Sequence, residues 1–266
     1  MLKKIREGKT VYGTCITSTA PNWPSIALRA GLDFVFLDTE HIPLERMEIA
    51  HMCQTFRAMG IAPIVRIPSP DPFRACQMMD AGAEGVVAPY LENPRQIRDL
   101  IGALKFRPLK GELLEKALDN PDKMVNSLRQ YLDNWNKGNV CIANIESVVA
   151  MERLEELLSE KGLDAVFIGP HDLSISMGLP EQYDHPLFEQ AVNKIIKVSK
   201  KYGLAVGIHF SESPERQIRW IREGVNIVIH SSDLAMFSQR LQHDMYLIKS
   251  ATGGTGVYGN SSDDIV

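Results

Sequence analysis

A six-residue phrase returns four times in this 266-residue chain: GLDFVF from Gly31, GAEGVV from Gly82, GLDAVF from Gly162 and GVNIVI from Gly224. Each begins with a glycine suited to the position after a helix, passes a polar turn residue and enters an apolar run. The starts lie 51, 80 and 62 residues apart, and a charged stretch over 107–138 lengthens the middle interval. Each interval therefore holds about two strand–helix units, the mark of a repeated βα architecture. Filling the gaps predicts eight strands, beginning at Val11, Phe34, Pro63, Gly85, Val140, Ala165, Leu204 and Val225. Helical stripes intervene, such as Ile49, Cys53 and Phe56, or Phe188, Val192, Ile195 and Ile196. The alternation predicts an α/β fold, a single (β/α)8 TIM barrel over 1–250 with a helical insertion between the fourth helix and the fifth strand. A doubly wound sheet would carry a glycine-rich first turn, and TSTAPNWPS offers none. Within 107–138, LLEKAL and VNSLRQYLDNWNKG read as helices broken at Asp119-Asn120-Pro121, forming a lid, a subunit contact or a surface excursion. The Gly- and Ser-rich stretch 251–266 reads as a flexible tail.

Chemistry gathers at the strand ends. FVFLDTEH finishes with Asp38, Glu40 and His41, CIANIES with Glu146, and DAVFIGPHD with Asp172. In a barrel these ends share one mouth, where a carboxylate is costly to bury without a cation, a partner or water. Glu146 and Asp172, one βα unit apart, can share a hard divalent cation such as Mg²⁺ or Mn²⁺, leaving positions for water and substrate oxygens. The alternative is that each carboxylate caps the helix that follows it. Arg66 in PIVRIP alternates with Ile64 and Pro68, so it should face inward near the barrel top. There it can bind a substrate carboxylate or carbonyl oxygen, or pair with Asp38 or Glu40. His41 is the best-placed proton-transfer group, with Asp38 to orient it or a metal-bound water. His171, His209 and His230 also lie at strand ends, so position alone does not single His41 out. No lysine occupies a predicted strand or the first residue beyond one, which argues against a Schiff base and for a metal-stabilised enolate. Gly169-Pro170 opens a turn whose backbone N–H groups can meet a substrate carboxylate.

Composition narrows the setting. A net charge of −4 and a pI near 6.0 leave no electrostatic footprint for nucleic acid. No apolar run is long enough to span a membrane, and the polar start MLKKIREGKT has no secretory core. Cys15, Cys53, Cys76 and Cys141 are widely spaced, as expected of thiols buried in a reducing, cytoplasmic protein.

LDTEH, VRIP, the glutamate of ANIES and FIGPHDLSISMG, in that order, resemble the HpcH/HpaI family of class II pyruvate aldolases, from about Gly13 to Ser238. The resemblance implies that Glu146 and Asp172 ligate a divalent metal (Mg²⁺, Mn²⁺ or Co²⁺) and that Arg66 binds the pyruvate oxygens. It implies His41 as acid/base with Asp38 close by, and amides around His171 and Asp172 holding the substrate carboxylate. The implied reaction is reversible cleavage of a 4-hydroxy-2-oxo acid, such as a dioic or sugar-derived acid, to pyruvate and an aldehyde. Homo-oligomers, trimers or hexamers with exchanged last helices, are implied as well. Asn144 replaces a glutamine common in the family, and His209 stands where many relatives are apolar. Asp80 matches an aspartate associated with the catalytic histidine, yet it precedes a strand and would have to come from an adjacent subunit. A rival reading is an acyl-CoA lyase of the malyl-CoA or citrate lyase type, with Lys105, Arg107 and Lys110 as phosphate-binding candidates. A third, a non-catalytic metabolite-binding barrel, predicts missing catalytic groups, and none is obviously missing.

Overall fold

Eight apolar runs become eight parallel strands that close on themselves in sequence order. They are β1 (Val11–Ile16), β2 (Phe34–Asp38), β3 (Ala62–Arg66), β4 (Gly85–Ala88), β5 (Val140–Ile145), β6 (Ala165–Ile168), β7 (Ala205–Phe210) and β8 (Ile227–Ser232). This computed structural model describes residues 1–254. Most of the tail expected to be flexible therefore lies outside the described residues. The predicted strand starts fall within two residues of the observed ones.

Helices separate the strands. A short α1 (Leu2–Arg6) precedes the barrel, followed by α2 (Trp23–Arg29), α3 (Arg46–Ala58), α4 (Pro72–Ala81) and α5 (Pro94–Lys105). The insertion supplies α6 (Gly111–Asp119), a 3₁₀ turn at Pro121–Lys123 and α7 (Asn126–Trp135). Then come α8 (Val148–Glu152), α9 (Leu154–Leu158), α10 (Pro170–Ser176), α11 (Pro186–Lys201), α12 (Pro214–Glu223) and α13 (Asp233–Ala251). Local chemistry sets the helix starts. Asp71, Asn93, Ser147, Ser213 and Ser232 each accept a backbone N–H as N-cap. Proline occupies the first turn of α4, α5, α10, α11 and α12, where its missing N–H is no loss. The insertion packs on α5, with Leu114 and Leu118 near Gly102 and with Arg98 paired to Asp119. Among the described residues no helix is long and apolar enough to cross a membrane.

Two apolar clusters follow from the period-two alternation of strands. Outward residues such as Val35, Leu37, Val166 and Ile208 pack against the helical stripes that carry Phe56, Leu100 and Phe188. Inward residues such as Phe34, Phe36, Ile64, Ile142, Phe167 and Ile229 fill the barrel, and Leu2 and Ile5 of α1 join them from the strands' N-terminal end. Glycine makes room for the inward aromatics. A Cβ on Gly13 would lie 2.7 Å from the Phe34 ring and 2.8 Å from the Phe34 carbonyl oxygen. The carbonyl belongs to a ladder that cannot yield, so Gly13→Ala should destabilise the fold by about 1–3 kcal/mol in urea unfolding. An unchanged midpoint would show that the barrel interior is looser than this packing implies.

Candidate active site

Alternation carries the inward faces of the strands to a polar ring at their C-terminal ends. Above Phe36 and Ile64 stand Asp38 and Arg66, which are direct cross-strand partners in the β2–β3 register. That register creates a bidentate pair: Arg66 Nε donates to Asp38 Oδ1 at 2.8 Å, and Nη2 to Oδ2 at 2.6 Å. Nη1 lies 3.2 Å from Glu40 Oε2, and the guanidinium carbon sits 5.5 Å from the centre of the Phe36 ring. Burial alone would raise the Asp38 pKa, but the Arg66 guanidinium holds it below the usual carboxylate range. Burial likewise opposes the charge on Arg66, and Asp38 and Glu40 more than restore it.

The sequence points to Asp38 as the group that orients His41 or a metal-bound water. The structure turns it elsewhere. Both carboxylate oxygens are taken by Arg66, and Oδ1 also accepts the Glu40 N–H at 3.0 Å. A guanidinium fork matches a carboxylate better than one imidazole N–H can, so Asp38 is committed to Arg66 and not to His41. His41 itself is 44% exposed, with Nε2 3.8 Å from Glu40 Oε2.

Glu146 follows β5 and is only 7% exposed. Ser147, not Glu146, caps α8 through its hydroxyl, so the capping alternative for Glu146 does not hold. Its Oε1 accepts the Tyr90 N–H at 2.7 Å, and its Oε2 accepts from the Asn144 side-chain amide. Burial pushes the Glu146 pKa up to about 7. The Tyr90 N–H opposes that rise, while the charges of Asp172 and Glu40 add to it. Asp172 lies in the first turn of α10, whose N-cap Gly169 makes no side-chain bond. A Cβ on Gly169 would lie 3.0 Å from Glu146 Cβ, so the bare glycine lets the start of α10 approach that carboxylate.

Among the described residues no three His, Cys, Asp or Glu side chains group closely enough to hold a metal by themselves. The donor set nevertheless suits a hard cation. Mg²⁺ is typically held by one or two carboxylates, with water and substrate oxygens completing its shell. Glu146 and Asp172 are two carboxylates whose mutual repulsion contributes to keeping Glu146 from ionising. A divalent charge between them would reverse that effect.

Other predicted residues are placed as follows. His209 projects from β7 with Nε2 3.2 Å from the Ser231 carbonyl oxygen, and its ring centre lies 6.1 Å from that of Phe36. His171 is exposed, with Nδ1 3.6 Å from Glu181 Oε1. Asp80 sits near the C-terminus of α4 and pairs with Arg107, remote from His41 within the same barrel. Lys105 is bound to Asp164 and to the Asn139 carbonyl oxygen at the strands' N-terminal end. Two of the three cations suggested for a CoA phosphate are therefore already paired, away from the carboxylates. A cleft of about 380 Å³ lined by Ser18, Trp23, His51 and Phe56 lies to one side and holds none of the acidic ring.

Tyr90 is the residue that sequence reasoning missed. Its φ of +55° is rare outside glycine, and this turn aims its N–H at Glu146. Its phenol faces Glu40, whose hydrogen bond and charge push the phenol pKa up to about 12. The available signal was an aromatic residue directly after the proline that follows β4.

A sequence model described as HpcH/HpaI aldolase/citrate lyase matches residues 12–239. The 2-keto-3-deoxy-L-rhamnonate aldolase of Escherichia coli (strain K12) is 26% identical over 258 residues, covering 97% of this chain and 96% of its own. The crystal structure of an HpcH/HpaI aldolase from Desulfitobacterium hafniense DCB-2 superposes with a TM-score of 0.81 at 27% identity, covering 93% of this chain and 95% of that one. The citrate synthase SbnG gives a TM-score of 0.82 at 23% identity, covering 95% and 98%, a likeness of fold.

The raised Glu146 pKa has a measurable sign. A carboxyl whose folded pKa exceeds its ordinary 4.5 contributes stability fully below that value, and loses it as pH rises through about 7. Chelator-treated protein should therefore lose urea stability across that window, and Glu146→Gln should flatten the loss. Added Mg²⁺ or Mn²⁺ should restore stability at pH 7 in wild type and not in the variant; identical pH profiles would contradict the assignment.

Proposed function

The chain belongs to the HpcH/HpaI aldolase/citrate lyase family, and from that premise we propose a metal-dependent aldolase that reversibly cleaves a 4-hydroxy-2-oxo acid to pyruvate and an aldehyde. The observation that carries this reading is the division of charge at the mouth. Arg66 is paired with Asp38 and lies beside Glu40, while among the described residues no salt bridge engages Glu146 or Asp172, and the Arg66 charge offsets their repulsion only in part. In this reading Glu146 and Asp172 hold Mg²⁺ or Mn²⁺, which supplies Lewis acidity toward the substrate's 2-oxo and carboxylate oxygens.

The chain's own groups do the rest. A guanidinium has five N–H donors. Arg66 commits two of them to Asp38 and holds a third nitrogen at ion-pair distance from Glu40, which leaves donors for a pyruvate oxygen. Asp38, kept ionised, fixes the direction of those donors. Asn144 holds Glu146 Oε2 and so sets the carboxylate plane. Backbone N–H groups of His171 and Asp172, in the first turn of α10, meet the substrate carboxylate. Cleavage removes the proton of the C4 hydroxyl, breaks the C3–C4 bond and returns a proton to C3. His41, exposed beside Glu40, exchanges these protons with the substrate. The rhamnonate-derived substrate in the E. coli relative's name makes sugar-derived 2-oxo acids the first compounds to assay. The four cysteines are free thiols, which suits a reducing cytoplasm.

Assembly belongs to the same reading. α13 leaves Phe237, Leu241, Leu247 and Ile248 exposed, an apolar surface uncovered among the described residues. A homo-oligomer, trimer or hexamer, would bury it and could bring Asp80 of one copy to the mouth of another.

Two measurements test these claims. Pyruvate release from 4-hydroxy-2-oxo acids should require Mg²⁺ or Mn²⁺, stop with EDTA, and fall at least about 10²-fold in Glu146→Ala. Metal-independent release by that variant would overturn the reading. Light scattering should give a trimer or hexamer for wild type and smaller species for Phe237→Asp combined with Leu241→Asp; a wild-type monomer would remove the assembly from the account.

A further inference from the structure

The polar ring holds one feature that the cleavage chemistry above leaves unused. His209 projects inward at the top of β7, on the floor that also carries Arg66 and Asp38, and the residue is half-buried. Its Nε2 faces the Ser231 carbonyl oxygen at 3.2 Å. A carbonyl accepts and cannot donate, so Nε2 must carry the ring proton. The backbone at Ser231 is bent to present that oxygen, with a φ of +51° that is unusual for a residue with a side chain, at the point where the β1–β8 register shifts. The Thr14 hydroxyl lies 3.3 Å from the same carbonyl and 2.8 Å from that of His230, which anchors the bulge from β1.

Burial and the nearby Arg66 charge push the His209 pKa down to about 4. The imidazole is neutral under working conditions, and Nδ1 carries a lone pair. Among the described residues no donor reaches Nδ1. A neutral, fixed acceptor thus stands in a floor whose other acceptors are carboxylates held by Arg66, by backbone N–H groups or by Asn144, or set aside for a cation. Arg66, Asn144 and the amides at the start of α10 donate, and so recognise oxo and carboxylate oxygens. Pyruvate offers nothing but acceptors at neutral pH. A group that can only accept must meet an O–H, and a 4-hydroxy-2-oxo acid carries its hydroxyls toward the aldehyde-derived half.

We propose that His209 determines substrate specificity, its Nδ1 accepting a hydrogen bond from a hydroxyl on the aldehyde-derived half next to the reacting carbon, so that hydroxyaldehydes are preferred partners of pyruvate. This inference rests on the aldolase reading and names the class of aldehyde it uses.

The test compares glycolaldehyde with propanal, which is similar in size but has a methyl in place of the hydroxyl, in Mn²⁺-supported condensation with pyruvate. Wild type should favour glycolaldehyde in kcat/KM. His209→Leu should lower the glycolaldehyde value about three- to tenfold, as loss of one neutral hydrogen bond does, and change propanal less than about twofold. His209→Asn, which returns an acceptor oxygen, should recover part of the loss. In parallel, nitrogen-15 NMR of histidine-labelled, Mg²⁺-saturated protein should show His209 protonated at Nε2, with Nδ1 responding to glycolaldehyde and not to propanal. Equal slowing of both aldehydes in His209→Leu, or an Nδ1 signal indifferent to glycolaldehyde, would overturn the proposal. Wild-type protein inert toward both aldehydes would instead overturn the aldolase reading, and the NMR response would still decide the role of His209.

Discussion

The ion pair between Asp38 and Arg66 organises everything at the barrel mouth. It exists because parallel pairing of β2 and β3 sets these two residues side by side, both facing inward above Phe36 and Ile64. A buried guanidinium without this partner would carry a large desolvation penalty. With it, Arg66 is a fixed donor that also engages Glu40. The consequence lies across the barrel. Because Arg66 is committed to β2, its field is the least of the influences on Glu146, which stays crowded by Asp172 and Glu40 and pushed up to about 7. An acidic pair left in this state is poised for a divalent cation and ill-suited to ionise without one.

The two ends of the barrel have different duties. At the N-terminal end charges pair off: Asp164 takes Arg6, Lys105 and the Cys141 N–H, and Asp80 takes Arg107. These contacts hold α1, α5 and the loop after it against the strand starts. At the C-terminal end, donors and acceptors remain available, namely spare N–H groups on Arg66, the Nδ1 of His209 and the exposed His41 and Asp172. Stability is concentrated at one end and chemistry at the other, the division that a (β/α)8 fold allows.

Much of this was legible from residue order. The fourfold glycine phrase located the alternation because a left-handed helix exit and a buried parallel strand each restrict the residues they accept, and Gly82 and Gly162 do adopt positive φ. Glu146, Asp172, Arg66 and His41 could be gathered in advance because strand ends share a mouth whatever the loops do. Orientation was less accessible. Asp38 had two candidate partners, and the choice depended on the β2–β3 register. Tyr90 was invisible because its importance lies in a backbone N–H and a φ of +55°, neither of which its identity announces. His209 stands out in the sequence as an oddity, but its tautomer is written by the Ser231 carbonyl, 22 residues away along the chain and adjacent in space.

One measurement bears most directly on the account: crystals soaked with Mn²⁺ and pyruvate, with anomalous scattering used to locate the metal. A single peak within about 2.1–2.3 Å of both a Glu146 and an Asp172 oxygen is predicted, with pyruvate oxygens completing its shell. A peak elsewhere, or carboxylates that face apart with the manganese absent, would contradict it.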